Sequence, residues 1–511
     1  MESLRLGLPT LGVILLYLVG INLLGGLLGR GQKDAKDYFL GARALPWTAV
    51  MGSIVATETS ALTFLSVPGD AYRSGFTFLQ LTFGYLVGRI AVAAFLLPSY
   101  FRCEIPTAYA LLERRFGVAA RRFTSFVFML TRVLAASVRL AVPAIPIALM
   151  TGAPVWAAIL VLAAATALYT VLGGLKAVVW IDVIQVVVYL TGGVMSLAVL
   201  LSRIPGGLAG AFARNAAAGQ PVRLFDFAVD PSQPYTFWAG LVGGAFLAMA
   251  SHGADQLIVQ RLLACRGLRD ARKALVGSGV LVILQFTLFL AIGVCLFAFY
   301  GRPVDPAAVD AFRTSDQIFP LFIVKELPGW LSAWLVAGIF SAAMCSEASA
   351  LNSLASALSL DFVSPLMGRD AVEGRRGLRL GKVLTLFWTV VLGALAVGFS
   401  LVPQGEPAVQ VALGLASVTG GGLLGAFLLA LYVRRARQSD AIAAIGLSAA
   451  CMFLLWLGAH GDVGFPLAKR IAWPWYSMIG AGVTVAVGWL LSLRYGTEVR
   501  KAGSRPPTSR A

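Results

Sequence analysis

The chain of 511 residues is 58% hydrophobic and 13% charged, with a mean hydropathy of +0.82; soluble domains of this length do not have that balance, and it defines an all-α polytopic membrane protein embedded in a lipid bilayer. A net charge of +17 does not point to nucleic acid, because the basic residues fall in short clusters between apolar runs instead of gathering on one face. The five cysteines (Cys103, Cys265, Cys295, Cys345 and Cys451) imply no disulfide framework, and two histidines exclude a multi-histidine metal site.

Runs of about 18 or more apolar residues give thirteen expected spans, at 6–29, 46–67, 76–101, 123–150, 153–173, 177–202, 235–262, 272–300, 328–358, 378–402, 408–433, 440–459 and 472–493. The first is too long for a signal peptide and has no small-residue cleavage site, so it reads as a membrane helix. The second, WTAVMGSIVATETSALTFLSVPGDAY, is interrupted midway by ATETSA. Unpaired backbone groups are costly in lipid, so such a break is tolerated only where it lines a cavity; 56–60 is therefore a candidate site. Glu58, a carboxylate at membrane depth, points the same way. Residues 105–116, IPTAYALLERRF, read as a short interfacial helix. The fourth span carries Arg132 and Arg139, seven residues apart on one face, suited to holding a carboxylate; for Arg139, nearer the outer end, snorkelling or pairing with Glu58 or Glu347 is expected. The seventh span, TFWAGLVGGAFLAMASHGADQLIVQRL, breaks again at 251–255.

Two interrupted helices five spans apart match the arrangement in which inverted-repeat transporters bind their ligands. The chain then divides into a first helix and loop (1–45), a first five-helix repeat (46–202), an outer loop (203–234), a second repeat (235–433), and two more helices with a polar tail expected to be disordered (434–511). Most of the 41 Lys and Arg lie on one set of alternate loops, which places the N-terminus outside and the C-terminus in the cytoplasm of a cell (inner) membrane.

The succession FLGARALPWTAV, the polar break, PGDAY, LERRFG, GGLKAVVWIDVIQVVV, ADQLIVQRLLACR and ALNSLASALSLDF resembles the sodium:solute symporter family over roughly residues 37 to 432. The resemblance implies a fold like that of the leucine transporter, with two five-helix inverted repeats, and a co-transported sodium ion between the first and eighth core helices. Carried onto this chain, the ion's ligands are the carbonyls of Ala56, Thr59 and Ala342 together with Cys345 and Ser346, and Asp182, in the VVWxDVxQ signature, supports sodium binding or its release inward. A thiol is a poor sodium ligand, so Cys345 leaves the set an oxygen short, completed by water, or weaker, unless Ser341 or Ser349 compensates. At 1.5 Å per residue Ala56, Asp182 and Ser346 lie at a common depth, roughly 10–18 Å from the cytoplasmic ends of their spans. Gln185 is read as a packing residue.

The expected solute-binding residues are Thr57, Glu58, Ser60, Arg89, Arg132, Asp255 and Gln256, with His252 a weaker candidate. Glu58 either binds an ammonium- or hydroxyl-bearing solute, takes a proton, or pairs with Arg89 or Arg132. The function implied is sodium-coupled symport of a small polar solute (sugar, organic acid, amino compound or vitamin), with a proton-coupled carrier using Glu58, or a sensor on the same scaffold, as alternatives. No nucleophile or metal set suggests an enzyme. Oligomeric state leaves no mark on the sequence.

Overall fold

The computed structural model describes residues 7–103, 105–220, 222–301, 315–368, 373–401, 408–460 and 468–495. The tail expected to be disordered and much of the 301–327 loop lie outside them. In chain order the helices are α1 (Leu8–Leu28), α2 (Ala35–Leu40), α3 (Trp47–Glu58), α4 (Ala61–Ser74), α5 (Leu79–Cys103), α6 (Ala110–Phe116), α7 (Val118–Thr151), α8 (Val155–Arg203), α9 (Gly207–Ala217), α10 (Ala239–Ala254), α11 (Gln256–Leu263), α12 (Leu268–Tyr300), α13 (Ile318–Lys325), α14 (Gly329–Leu366), α15 (Gly374–Ser400), α16 (Ala408–Tyr432), α17 (Gln438–His460) and α18 (Tyr476–Ser492). Among the described residues nine helices are long and apolar enough to cross a bilayer, ten with the bent pair α3–α4. Each of the thirteen expected runs falls on a helix or helix pair. Two of them share the 49-residue α8, which at about 74 Å would be far longer than a bilayer core of about 30 Å if straight. It bends at Gly174, whose φ of 54° and ψ of −161° need a residue without a Cβ, and so forms two legs.

Both expected breaks are present. Between α3 and α4 the chain turns by 61° at Thr59 and Ser60, which have extended ψ values of 83° and 168°. Hydroxyl side chains compete for backbone hydrogen bonds and weaken a helix at such points. Between α10 and α11 the break is at Asp255 (φ −90°, ψ 125°), whose side chain caps α11 by accepting from the Leu257 amide at 2.9 Å. A wide π-turn at Ala250–Ala254 precedes it.

The packing exchanges the two halves. The first broken helix lies against α12, the second helix of the other half, and α10 lies against α5 in the same way. Likewise α7 meets α16, while α14 meets the second leg of α8, Gly192 facing Leu335 and Tyr189 facing Gly338. An odd number of helices per half makes these halves opposite in direction across a bilayer. The centre is α14, with 83% of its apolar window buried against 17% for α1 at the rim. The α5–α10 contact depends on glycine: a Cβ at Gly84 would lie 2.7 Å from the Leu241 carbonyl oxygen and 2.9 Å from the Ala245 amide. Small residues allow this approach where lipid offers no hydrophobic drive for association.

Candidate functional site

Where the two broken helices face each other, with α7 and α16 alongside, there is a cavity of about 130 Å³. Its polar lining includes Thr57, Glu58 and Ser60 from the first break, Arg132 and Arg139 from α7, and Asp255 from the second break. Phe78, Phe128 and Phe286 supply aromatic walls. A small set of polar groups converging in a mostly apolar recess is the usual form of a small-molecule site.

The charges in and behind this cavity are largely paired. Glu58 accepts from Arg89, which is fully buried and does not line the cavity. Arg89 was expected to touch solute; instead it sits behind Glu58, because an unpaired carboxylate at this depth would be too costly. Glu58 is thereby committed, and the expectation that it receives an ammonium group is not supported. Arg132 is bonded to Asp255. His252 lies between, with Nε2 3.3 Å from Arg89 Nε and Nδ1 2.8 Å from Ser251 Oγ. Since an arginine nitrogen only donates, Nε2 accepts, which assigns the neutral ring with its proton on Nδ1. Gln256 also departs from expectation. It lies outside the cavity and accepts from the Ala108 amide at 2.8 Å, because its side chain follows the α11 face turned to the 105–109 segment.

Arg139 is the exception. It lines the cavity, its only polar contact is to Ser346 Oγ at 3.5 Å, its Nε is buried without a partner, and no carboxylate is within ion-pair distance among the described residues. It neither snorkels nor pairs. With Glu58 and Arg89 cancelling, Asp255 and Arg132 cancelling, and His252 neutral, the cavity carries one net positive charge.

On the other side of the first break, three carbonyls converge on one point. The Cys345 thiol, on α14, donates to the Ala56 carbonyl at 2.9 Å, and the carbonyl oxygens of Ala342 and Thr59 lie 3.4 and 3.9 Å from the same sulfur. The Thr59 hydroxyl is held separately by Gln285 of α12. Hard carbonyl oxygens drawn together by an unwound turn suit a monovalent cation, and of the expected ligands Ala56, Thr59, Ala342 and Cys345 are brought together. Ser346 is not with them; its hydroxyl turns to Arg139.

Asp182 is adjacent but engaged elsewhere. Its Oδ2 accepts from Ser53 at 2.6 Å and from Arg261 Nη2 at 3.4 Å, and Arg261 also bonds Ser349, which is 2.9 Å from Thr57 Oγ1. Arg261, fully buried, drew no attention in the sequence because it falls at the edge of an apolar run; the apolar turn around it, LIVQRLL, was the available sign. Asp182 Oδ1 is buried without a hydrogen-bond partner among the described residues, and Gln185 is fully buried beside Tyr17.

The sequence model of the sodium:solute symporter family matches residues 38–447. The chain is 31% identical to the human sodium/iodide cotransporter, over 88% of this chain and 69% of the relative. It is 29% identical to the human sodium-coupled monocarboxylate transporter 1, over 86% of this chain and 71% of the relative. A solved structure of a Na⁺-coupled sialic acid symporter, substrate-bound and outward-open, superimposes with a TM-score of 0.83 at 26% identity, over 96% of this chain and 98% of that one.

Proposed function

The chain belongs to the sodium:solute symporter family, and from that membership we propose that it is a secondary active transporter, not an enzyme, that carries a small organic anion across the membrane together with sodium. The observation that carries the choice of an anion is Arg139, a cavity-lining guanidinium with no carboxylate partner among the described residues. A desolvated, unpaired charge is unfavourable until a counter-charge arrives, and a guanidinium matches a carboxylate with two parallel hydrogen bonds. Relatives named as carriers of iodide, monocarboxylates or sialic acid have negatively charged solutes.

In this reading sodium takes the Ala56, Thr59 and Ala342 carbonyls, with the Cys345 thiol turned aside. Asp182, with Oδ1 free of donors among the described residues, supports the cation from beneath. The solute lies among Thr57, Ser60, Arg132, Arg139 and Asp255. Rocking of the broken-helix bundle against the α7–α14 scaffold alternates access. The basic loop excess supports an N-terminus outside and a C-terminus in the cytoplasm, with the cell (inner) membrane as the proposed location. Coupling to protons through Glu58 is disfavoured by its bond to Arg89.

The test is a thermal-shift screen of the purified protein with sodium or potassium against small carboxylates, sugars and amines, because a ligand of the native state raises its apparent stability. Stabilisation by a carboxylate that requires sodium and is lost in Arg139→Gln is expected. Stabilisation by a neutral sugar or an amine, with carboxylates inert, would overturn the anion assignment.

A further inference from the structure

Away from the solute cavity, a second recess of about 320 Å³ lies between the ends of α16 and α18. Tyr432, Arg434 and Arg435 line it from one side, and Trp489, Ser492 and Leu493 from the other. We propose that it binds the headgroup of an anionic phospholipid from the leaflet on the basic face of the protein.

Three features argue for that occupant. Arg434 and Arg435 are exposed, and among the described residues neither has a carboxylate within ion-pair distance. The recess therefore offers positive charge that no described group of the chain cancels. Helix ends normally repel anions because their last carbonyls carry partial negative charge. Here Arg115 of α6 donates to the Val433 and Arg434 carbonyls at 3.1 and 2.6 Å, which removes that objection and fixes the floor of the recess. Finally, Tyr432 and Trp489 are exposed at the ends of two membrane helices, the depth at which amphipathic rings sit beside headgroups, and exposed Leu490 and Leu493 continue the α18 side of the recess as an apolar track for acyl chains. Basic pockets between helix ends on the positively charged side are a recurrent form of headgroup site. The chain's own following segment has the wrong sign to fill it, with Arg500, Lys501, Arg505 and Arg510 against a single Glu498.

Two arginines at a membrane surface give a preference for anionic over zwitterionic lipid of roughly thirty-fold. The full chain, purified and mixed with equal amounts of phosphatidylglycerol and phosphatidylcholine, should retain phosphatidylglycerol preferentially when analysed by native mass spectrometry. The Arg434→Gln/Arg435→Gln protein should lose most of that preference, while Arg375→Gln/Arg376→Gln, a change at an exposed pair elsewhere on the same face, should keep it. Equal loss in both double variants, or none in either, would overturn the site. In a parallel arm inorganic phosphate is added to detergent-solubilised protein. If it raises the unfolding temperature as much as phosphatidylglycerol does, through the same two arginines, the recess is a site for free phosphate and the lipid assignment fails.

Discussion

Replacing Cys345 with serine should tighten sodium binding. The thiol sulfur sits 2.9, 3.4 and 3.9 Å from the carbonyl oxygens of Ala56, Ala342 and Thr59, so a hydroxyl at the same Cβ would point its oxygen into the space those carbonyls surround. A thiol offers a hard cation little. A hydroxyl oxygen facing a full charge contributes about 1.5–3 kcal/mol, and the lower end of that range corresponds to a gain of roughly tenfold in affinity. The assay is solute uptake into proteoliposomes as a function of external sodium, with choline replacing it at constant ionic strength. The sodium concentration for half-maximal uptake should fall by about that factor, and because the coupling is reciprocal the solute affinity at low sodium should rise as well. An unchanged or higher half-maximal sodium concentration in a folded Cys345→Ser protein would mean that the cation does not bind at these carbonyls.

Two further perturbations test the frame around the site. Asp182→Asn leaves the fully buried Arg261 without its counter-charge, a loss of about 3–5 kcal/mol for a buried pair; adding Arg261→Gln should restore part of the thermal stability, and a double variant no more stable than the single would argue against the pair. Gly84→Ala forces α5 and α10 apart and should cost about 1–3 kcal/mol, read as a lower unfolding temperature, whereas Gly20→Ala, with no atom within 4 Å of its added Cβ, should leave it unchanged.

The helical breaks were legible because the rule behind them is local: a run of hydroxyl residues inside an apolar span weakens the helix wherever it falls, and the chain does part at Thr59 and Ser60. The carbonyl cluster at Ala56, Thr59, Ala342 and Cys345 followed once the resemblance fixed which two helices meet. Charge pairing was a different problem. Arg89 is 31 residues from Glu58, and Arg132 is 123 from Asp255, so which arginine neutralises which acid depends on the rotation of whole helices, and a pattern of residues does not specify that. Arg139 was misjudged for a related reason. Depth along α7 suggested snorkelling, yet snorkelling needs a lipid-facing side, and a spacing of seven puts Arg139 on the face of Arg132, which turns inward. That spacing was the better guide.

The position of Arg139 also bears on why two ligands should travel together. Its guanidinium touches Ser346, the next residue after Cys345, so it stands close to the point where the carbonyls converge. At an effective dielectric constant of about 20, two like charges repel by about 4 kcal/mol at about 4 Å, falling in inverse proportion to their separation. Sodium arriving alone meets that repulsion, and an anion seated on Arg139 cancels it. The arginine would then act as a device that makes each ligand bind weakly without the other, which limits leakage of sodium unaccompanied by solute. Removing the charge should separate the two events: in Arg139→Gln, sodium should bind severalfold more tightly in the absence of solute, measured by thermal shift against sodium concentration, and added carboxylate should no longer improve it. If solute-free sodium affinity fell or stayed the same in this variant, the repulsion would not be the source of coupling, and the link would have to run through the Thr57–Ser349–Arg261 chain that joins the cavity to Asp182.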